Sequence, residues 1–284
     1  MKIDKPLLAW AAPVRTQLAA AVFLGLLAGI CTVFQARYLS AAVSHAFLDG
    51  AGLAQVRPLL AGLLLAGVGR AAALWASETL AGRAAVRVKT MVRQRLLLQI
   101  QALGPAYTAG ERSGELANTA LEGVEALDAY FGQYLPQLAL AALVPAAIVL
   151  MVFPLDLVSG LVLVLTAPLI PLFMNLIGGL AGIVTRQQWT ALSRLSAHYL
   201  DVLQGLTTLK LFNRAQAQVR TLTQIGERFR QTTMAVLRVS FLSALILELV
   251  ATLSTAVVAV EIGVRLLYGR LSFEPAFFVL ILAP

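Results

Sequence analysis

The chain has 284 residues, of which 59% are hydrophobic and 13% are charged, and its formal net charge is +8. This composition excludes an ordinary soluble globular protein and indicates a bilayer protein, in which the basic excess belongs in loops on one side of the membrane rather than against nucleic acid. The single cysteine, Cys31, excludes an internal disulfide and a multi-cysteine metal site.

Apolar segments of membrane-spanning length follow one another along the chain. Residues 4–14 come first and predict a short interfacial helix, with a cleaved signal peptide as the alternative. The apolar runs lie at 17–36, 58–76, 137–153, 157–184 and 239–264, each close to the roughly 20 residues that a helix needs to cross hydrocarbon, and a sixth begins at 276. Because these runs lack period-two alternation, they favour helices over barrel strands. The predicted fold is an all-α membrane protein with five complete spans and the start of a sixth.

The connections between the spans predict which side each faces. Residues 153–156 form a tight turn, whereas 77–136 and 185–238 are long, polar and basic. These two connections and the N-terminal segment hold most of the 22 basic residues. Basic residues gather on the cytoplasmic side of membrane proteins. We therefore expect a cytoplasmic N-terminus and two long cytoplasmic extensions.

The second extension reads as a helical hairpin. No proline occurs between Pro171 and Pro275, so spans 4 and 5 are expected to continue unbroken out of the membrane, with a tip near residue 211. Two arms of this length reach on the order of 35–40 Å at 1.5 Å per residue. Apolar and basic side chains mix at the tip, which predicts a docking surface, the alternative being a tip folded on itself. The residues are Leu209, Lys210, Leu211, Phe212 and Arg214.

The first extension repeats this plan with the opposite charge. Its midpoint lies near Tyr107, where glycines and a proline break the helix and Ser113 could cap a new one. The helix-breaking residues are Gly104, Pro105, Gly110 and Gly114, and the acidic residues are Glu111, Glu115, Glu122, Glu125 and Asp128. Two differently charged tips predict two distinct docking contacts.

Several stretches carry a resemblance to a known family. The chain contains ERSGELANTALEGVEALDAYFGQYLPQ, LTAPLIPLFMNLIGG, LSRLSAHYLDVLQGLTTLKLFNRA, RQTTMAVLRVSFLSALILE and LILAP. The span plan resembles the transmembrane domain of an ABC exporter (type I, now type IV). The quoted stretches resemble the D subunit of the bacterial cysteine/glutathione exporters (CydDC type) needed for cytochrome bd assembly. This resemblance covers essentially the whole chain and implies a bacterial inner membrane, a small thiol cargo and a heterodimer with a C-type partner subunit.

The same resemblance implies two coupling helices that engage ATP-binding domains. The first would lie within Ser113–Leu127, with Ser113, Glu115, Leu116 and Glu122. The second would be Gly205–Ala215, docking on the partner subunit's ATPase. ATP and magnesium would bind to a nucleotide-binding domain that this chain lacks, since the sequence has no G-x-x-x-x-G-K-[ST] phosphate loop. We therefore expect no ATP hydrolysis by this chain, and LILAP to mark a truncation.

Ionisable residues within the spans are the candidates for contact with cargo, because charges at bilayer depth are costly and usually face a cavity or a partner. Arg37 and Arg70 would meet carboxylates of glutathione or cysteine, and Glu248 would meet the ammonium group. Structural pairing between helices is the alternative for each. Glu261 and Arg265 are spaced i,i+4 and predict an external ion pair.

The family that the chain resembles is also linked to haem, and histidine is a common haem ligand. This directs attention to His45 and His198. Neither belongs to a Cys-x-x-Cys-His motif, and neither enters the predicted site. Three other functions stay open: an ABC exporter of lipid, peptide or drug; a membrane scaffold or haem-handling assembly factor; and a secondary transporter. The last requires internal repeats, which we do not find, although Pro168 and Pro171 hint at a broken helix in span 4.

Overall fold

The structure is a computed structural model that describes residues 10–110 and 123–283, and the regular secondary structure in this part of the chain is helical. We number the α-helices in chain order. They are α1 (Arg15–Phe47), α2 (Leu53–Gly110), α3 (Leu135–Val152), α4 (Leu157–Thr166), α5 (Leu169–Gln204), α6 (Leu206–Leu211), α7 (Ala215–Leu267) and α8 (Phe273–Leu282). A 3-10 turn, Ala12–Val14, leads into α1, and a π-helical turn, Ala129–Tyr134, leads into α3. The all-α prediction is confirmed. Of the predicted interfacial helix 4–14, only residues 10–14 lie within the described residues.

Five helical stretches in the described ranges are long and apolar enough to cross a membrane. They are Ala12–Phe47, Leu53–Gly104, Ala129–Val152, Leu157–Gln204 and Ala215–Leu267, and α8 is a shorter apolar helix. Helices suit a bilayer because every backbone polar group is satisfied within the segment. Five complete spans and the start of a sixth are thus confirmed.

Two breaks mark these long helices. Gly104 has φ 76° and ψ 177°, which interrupts α2 where the glycines and proline predicted a break. Span 4 differs from a single unbroken helix, because α4 ends at Thr166 and α5 begins at Leu169. The physical cause is Pro168, which has no N–H to donate and disfavours a helical conformation in the residue before it. Beyond this break, α5 and α7 continue through most of the second extension, as predicted.

The first of two compact units comprises the described residues up to Leu161 together with Val258–Ala283. Its buried cluster joins the start of α1, the middle of α2 and the π-helical turn, and consists of Ala11, Val14, Leu18, Ala84, Ala85, Val88 and Phe131. Small side chains let the helix backbones approach closely. Two interhelical hydrogen bonds support this packing: the hydroxyl of Ser77 donates to the carbonyl of Ala21 at 2.7 Å, and that of Ser40 donates to the carbonyl of Glu274 at 2.5 Å.

Glycines set the contact between α1 and α3 in the same unit. A Cβ atom added at Gly25 would lie 2.5 Å from Cδ1 of Leu140, and one added at Gly29 would lie 3.1 Å from Cγ1 of Val144. The first distance is too short for two non-bonded carbon atoms, so any side chain at position 25 would force the Leu140 side chain of α3 to move.

The second unit, Val162–Val257, contains α5, α6 and most of α7. Gln188 Nε2 donates to Thr233 Oγ1 at 3.3 Å, and Ser254 Oγ donates to Thr166 Oγ1 at 2.8 Å. The two legs of the hairpin are the chain before α6 and the chain after it. Residue 166 of the first leg pairs with residue 254 of the second, and residue 188 pairs with residue 233, so the two legs run antiparallel.

Candidate functional site

The tip of the second extension is built by α6, a helix of six residues between α5 and α7. The backbone N–H of Gly205 donates to the carbonyl of Asp201 at 2.9 Å and closes α5. Asn213 has φ 53°, and the N–H of Arg214 returns to the carbonyl of Leu209 at 2.9 Å. Asparagine tolerates this left-handed conformation, which commonly ends a helix. The chain therefore turns from α6 into α7 within three residues, 212–214.

The apolar side chains of the tip point outward. Leu211 is 80% exposed and Phe212 is 74% exposed, whereas Leu209 is half-buried. Lys210 and Arg214 are exposed, and neither forms an ion pair with another described residue. Large exposed apolar groups with a charged rim are typical of a protein-docking surface. The structure brings the five residues predicted for the second coupling helix together at this tip, and their docking role stays a prediction.

The first extension is described only at its base. Ser113, Glu115, Leu116 and Glu122, predicted for the first coupling helix, lie outside the described residues. At the base, Lys89 Nζ lies 2.7 Å from Glu125 Oε1 and 2.8 Å from Asp128 Oδ1, and Arg93 Nη2 lies 3.5 Å from the other oxygen of Glu125. The hydrogen bond from Lys89 lowers the pKa of the Glu125 carboxyl. Glu125 and Asp128 therefore pair with Lys89 of α2, and less of their negative charge is available to a docking partner than the sequence indicates.

The three predicted cargo-contacting residues occupy two different units. Arg37 and Arg70 lie on α1 and α2 in the first unit, and Glu248 lies on α7 in the second. All three side chains are exposed. Arg70 Nη1 donates to Gln35 Oε1 at 3.4 Å, a long contact between α1 and α2. Whether these residues line one cavity stays a prediction.

A buried ion network joins the start of α4 to the end of α7. Arg265 Nη1 lies 2.6 Å from Glu261 Oε1, which confirms the predicted pair, and 2.7 Å from Asp156 Oδ1. The hydroxyl of Ser159 donates to Glu261 Oε2 at 3.0 Å and to Asp156. The Asp156 side chain is only 2% exposed. Its position before α4 signals a helix cap, and the N–H of Ser159 does donate to it, but no local pattern indicates the contact with Arg265.

The two histidines occupy unrelated surroundings. His45 Nδ1 lies 2.6 Å from Asp49 Oδ2, and His198 Nε2 is buried without a hydrogen-bond partner among the described residues. Over residues 10–110 and 123–283, no group of three or more histidine, cysteine, aspartate or glutamate side chains could hold a metal ion. Haem binding therefore stays a prediction without a defined geometry.

The sequence matches one family model and several curated proteins. The model of the ABC transporter transmembrane region matches residues 18–283. The glutathione/L-cysteine transport system ATP-binding/permease protein CydD of Escherichia coli (strain K12) is 38% identical over 270 residues, which cover 92% of this chain and 46% of that protein. CydD of Haemophilus influenzae is 36% identical over 291 residues, covering 99% of this chain and 50% of that protein.

A third relative comes from another organism and is nearly as similar. The glutathione/L-cysteine transport system ATP-binding/permease protein CydC of Bacillus subtilis (strain 168) is 35% identical over 252 residues, covering 89% of this chain and 44% of that protein. The chain thus spans about half the length of the curated relatives it matches. The five apolar helices and the family match make it a multi-pass membrane protein.

Proposed function

Since the chain belongs to the family of ABC transporter transmembrane regions, we propose that it forms the membrane-spanning half of an ATP-driven exporter. Its cargo is a thiol of the cysteine or glutathione type, moved from the cytoplasm to the periplasm in support of cytochrome bd assembly. The similarity to relatives named as glutathione/L-cysteine transport proteins supports this cargo.

The proposed location is a bacterial inner membrane with the N-terminus in the cytoplasm. The basic residues of the N-terminal segment and of both long connections support this orientation. Both extensions then lie on the cytoplasmic side, where ATP is available.

Coupling to ATP hydrolysis depends on the tip of the second extension. The observation that carries this proposal is the exposure of Leu211 and Phe212, 80% and 74%, on a short helix between two long ones. In the proposed complex, Gly205–Ala215 docks on an ATPase domain of the C-type partner subunit, and Ser113–Leu127 makes the second contact. ATP and magnesium are bound by the ATPase domains, and the residues of α6 only transmit their movement.

The proposed cargo site uses Arg37 and Arg70 for carboxylates and Glu248 for an ammonium group. Guanidinium forks bind carboxylates through paired hydrogen bonds, which suits a small amino-acid or peptide cargo. The exposure of all three side chains on apolar helices supports this role, since a charge at bilayer depth needs water or a ligand.

The test is thiol uptake into inside-out vesicles that contain the full-length protein with its C-type partner. We expect Leu211→Asp and Phe212→Asp to lower ATP-driven uptake at least about tenfold, because a carboxylate in the centre of an apolar interface is as costly as the loss of a central contact. ATP hydrolysis should continue without transport. The matched control is Leu200→Asp, which alters an exposed leucine of α5 outside the tip and should retain uptake.

Different outcomes separate the competing functions. Unchanged uptake in both tip variants would contradict docking through α6. If the complex hydrolyses ATP but takes up no thiol, and a lipid, peptide or drug stimulates that hydrolysis, the stimulating compound is the cargo in place of a thiol. In the same vesicles, Arg70→Ala and Glu248→Ala should lower thiol uptake and spare hydrolysis. Visible absorption that appears on adding haem, in a protein that transports no thiol, would favour a haem-handling factor.

A further inference from the structure

The tip of the second extension carries positive charge without a compensating acidic residue. Between Asp201 on α5 and Glu227 on α7 the sequence contains no aspartate or glutamate. The basic residues of this interval are Lys210, Arg214 and Arg220, and all three are exposed. None of them forms an ion pair with another described residue. The end of the hairpin therefore presents a positively charged surface.

The apolar centre of this surface is already formed in the unbound chain. Leu211 and Phe212 are exposed, whereas Leu209 is half-buried. The backbone N–H of Phe212 donates to the carbonyl of Thr208 at 3.0 Å, and that of Arg214 donates to the carbonyl of Leu209 at 2.9 Å. These hydrogen bonds hold the turn in one conformation. A partner therefore does not have to order the turn on binding, which lowers the cost of association.

The position of the tip indicates the class of partner. The apolar run ends at residue 184 and α5 continues to Gln204, which corresponds to about 30 Å of helix. Surface charge is screened over roughly 8 Å at physiological ionic strength, so in the proposed orientation lipid headgroups do not attract the tip. Nucleic acid attracts basic residues through its phosphates, but it offers no pocket to Leu211 and Phe212. An apolar centre with a charged rim fits a protein surface.

We propose that the ATPase domain that receives α6 has an apolar pocket for Leu211 and Phe212, with a rim of aspartate or glutamate residues that pair with Lys210 and Arg214. This inference rests on the proposed docking at α6 and adds the charge of the partner's surface. Like charges brought together at an interface are strongly unfavourable. The two basic residues therefore determine specificity, because they exclude an ATPase domain whose pocket has a basic rim.

The test is zero-length cross-linking of the full-length protein with its C-type partner in nanodiscs. A carbodiimide joins a lysine amine to a carboxylate only when the two groups are in direct contact, and mass spectrometry identifies the joined peptides. We expect Lys210 to be joined to an aspartate or glutamate of the partner's ATPase domain. Lys89 and Glu125, which lie 2.7 Å apart within this chain, are the internal positive control.

Three conservative variants make the cross-link specific. Lys210→Arg keeps the charge but removes the amine, so its cross-link should disappear. Arg214→Lys places a second amine in the proposed rim and should give a new cross-link to the same domain. Arg220→Lys is the matched control, because Arg220 is exposed but lies about 9 Å further along α7, and it should give none.

Charge reversal provides a second measurement, thiol uptake into inside-out vesicles. Lys210→Glu combined with Arg214→Glu should lower ATP-driven uptake about tenfold, because two carboxylates would then face the acidic rim. Lys210→Gln combined with Arg214→Gln should lower it less than about fivefold, the range of exposed ion pairs. Added salt should narrow the difference between the two double variants.

The outcomes separate this inference from the docking on which it rests. If a lysine–lysine linker joins Lys210 to the ATPase domain but the carbodiimide does not, docking is supported and the acidic rim is wrong. If neither reagent joins them, the docking itself is contradicted as well. A carbodiimide product between Lys210 and a carboxylate of this same chain would also overturn the proposal, as would equal uptake in the charge-reversed and neutral variants.

Discussion

At the level of single residues, Arg265 holds two carboxylates at once. Asp156 is almost fully buried and Glu261 is mostly buried, and Arg265 is the cation that pairs with both among the described residues. Removing one partner of a buried ion pair leaves an uncompensated charge, which costs 3–5 kcal/mol in typical cases. Because Arg265 is 25% exposed, we expect Arg265→Leu to lower the free energy of unfolding by roughly 3 kcal/mol, the low end of that range.

This prediction is measured by denaturant unfolding in mixed micelles. Arg270→Leu is the matched control, because Arg270 is exposed and has no side-chain partner among the described residues, and it should change stability little. Adding Asp156→Asn to Arg265→Leu should recover part of the loss, since the double variant no longer buries an unpaired aspartate. No recovery would indicate that Arg265 stabilises through packing alone.

The Lys89–Glu125 pair predicts a dependence on pH at the base of the first extension. Since the hydrogen bond from Lys89 lowers the pKa of Glu125 in the folded protein, its stabilisation is complete above the ordinary carboxylate range and is lost as the pH falls through the lowered value. We expect the segment that begins at residue 123 to detach from α2 only at a pH below the ordinary range of a glutamate carboxyl. Hydrogen exchange of residues 123–128, corrected for intrinsic rates, measures this.

Variants of this pair show whether Glu125 is the titrating group. Glu125→Gln should raise exchange at neutral pH and flatten the pH dependence, although Asp128, 2.8 Å from Lys89, retains part of the contact. Asp49→Asn, which alters the separate His45–Asp49 pair, should leave the segment unchanged. A Glu125→Gln protein with the parent's pH profile would assign the dependence to another group.

These residues also show what local sequence can and cannot reveal. The Glu261–Arg265 pair follows from i,i+4 spacing on one helix and was predictable. Asp156 lies 109 residues from Arg265, so its contact depends on how α4 and α7 pack. The acidic residues of the first extension were predicted to give it a negatively charged tip, and the sequence did not reveal that Glu125 and Asp128 pair with Lys89, 36 and 39 residues earlier.

At the level of helices, the contact between α1 and α3 is close because Gly25 of α1 has no side chain. We expect Gly25→Leu to overpack this contact against Leu140 and to lower stability by about 1–3 kcal/mol. Combining it with Leu140→Ala should restore much of the loss by returning the volume. Thermal unfolding in detergent measures both.

The control for this prediction is Gly178→Leu on α5. A Cβ atom added at Gly178 has no neighbour within 4 Å, so a leucine there should be tolerated on an apolar helix. An equal loss of stability in Gly25→Leu and Gly178→Leu would show that bulk on these helices is unfavourable in general, rather than at the contact with α3.

The helices themselves were largely predictable, because each depends on local rules. Apolar length predicted the spans, and the absence of proline predicted the long legs α5 and α7. The tip at residue 211 coincides with the end of α6. The stop at Thr166 was only hinted at by Pro168, because a proline in an apolar segment can either kink a helix or end it, and packing decides between the two.

At the level of the whole molecule, the sequence predicted membership and span number but not which side chains meet. Apolar runs predict the membrane spans, because the bilayer is the same solvent for every segment. The stretches that resemble known exporters predict the family. Arg37, Arg70 and Glu248 were chosen by the cost of burying charge, a property of each residue alone. Their placement in two units depends on tertiary contacts that no pattern along the chain records.

The break at Pro168 makes the two legs of the second hairpin differ in stiffness. The α7 leg runs for 53 residues without a proline, whereas the other leg is divided by a stretch in which Pro168 offers no N–H to the helical ladder. A push applied at α6 would be transmitted along the continuous helix α7, whereas the other leg would bend at Pro168. Under the proposed docking at α6, we expect the proline-free leg to be the stiffer of the two.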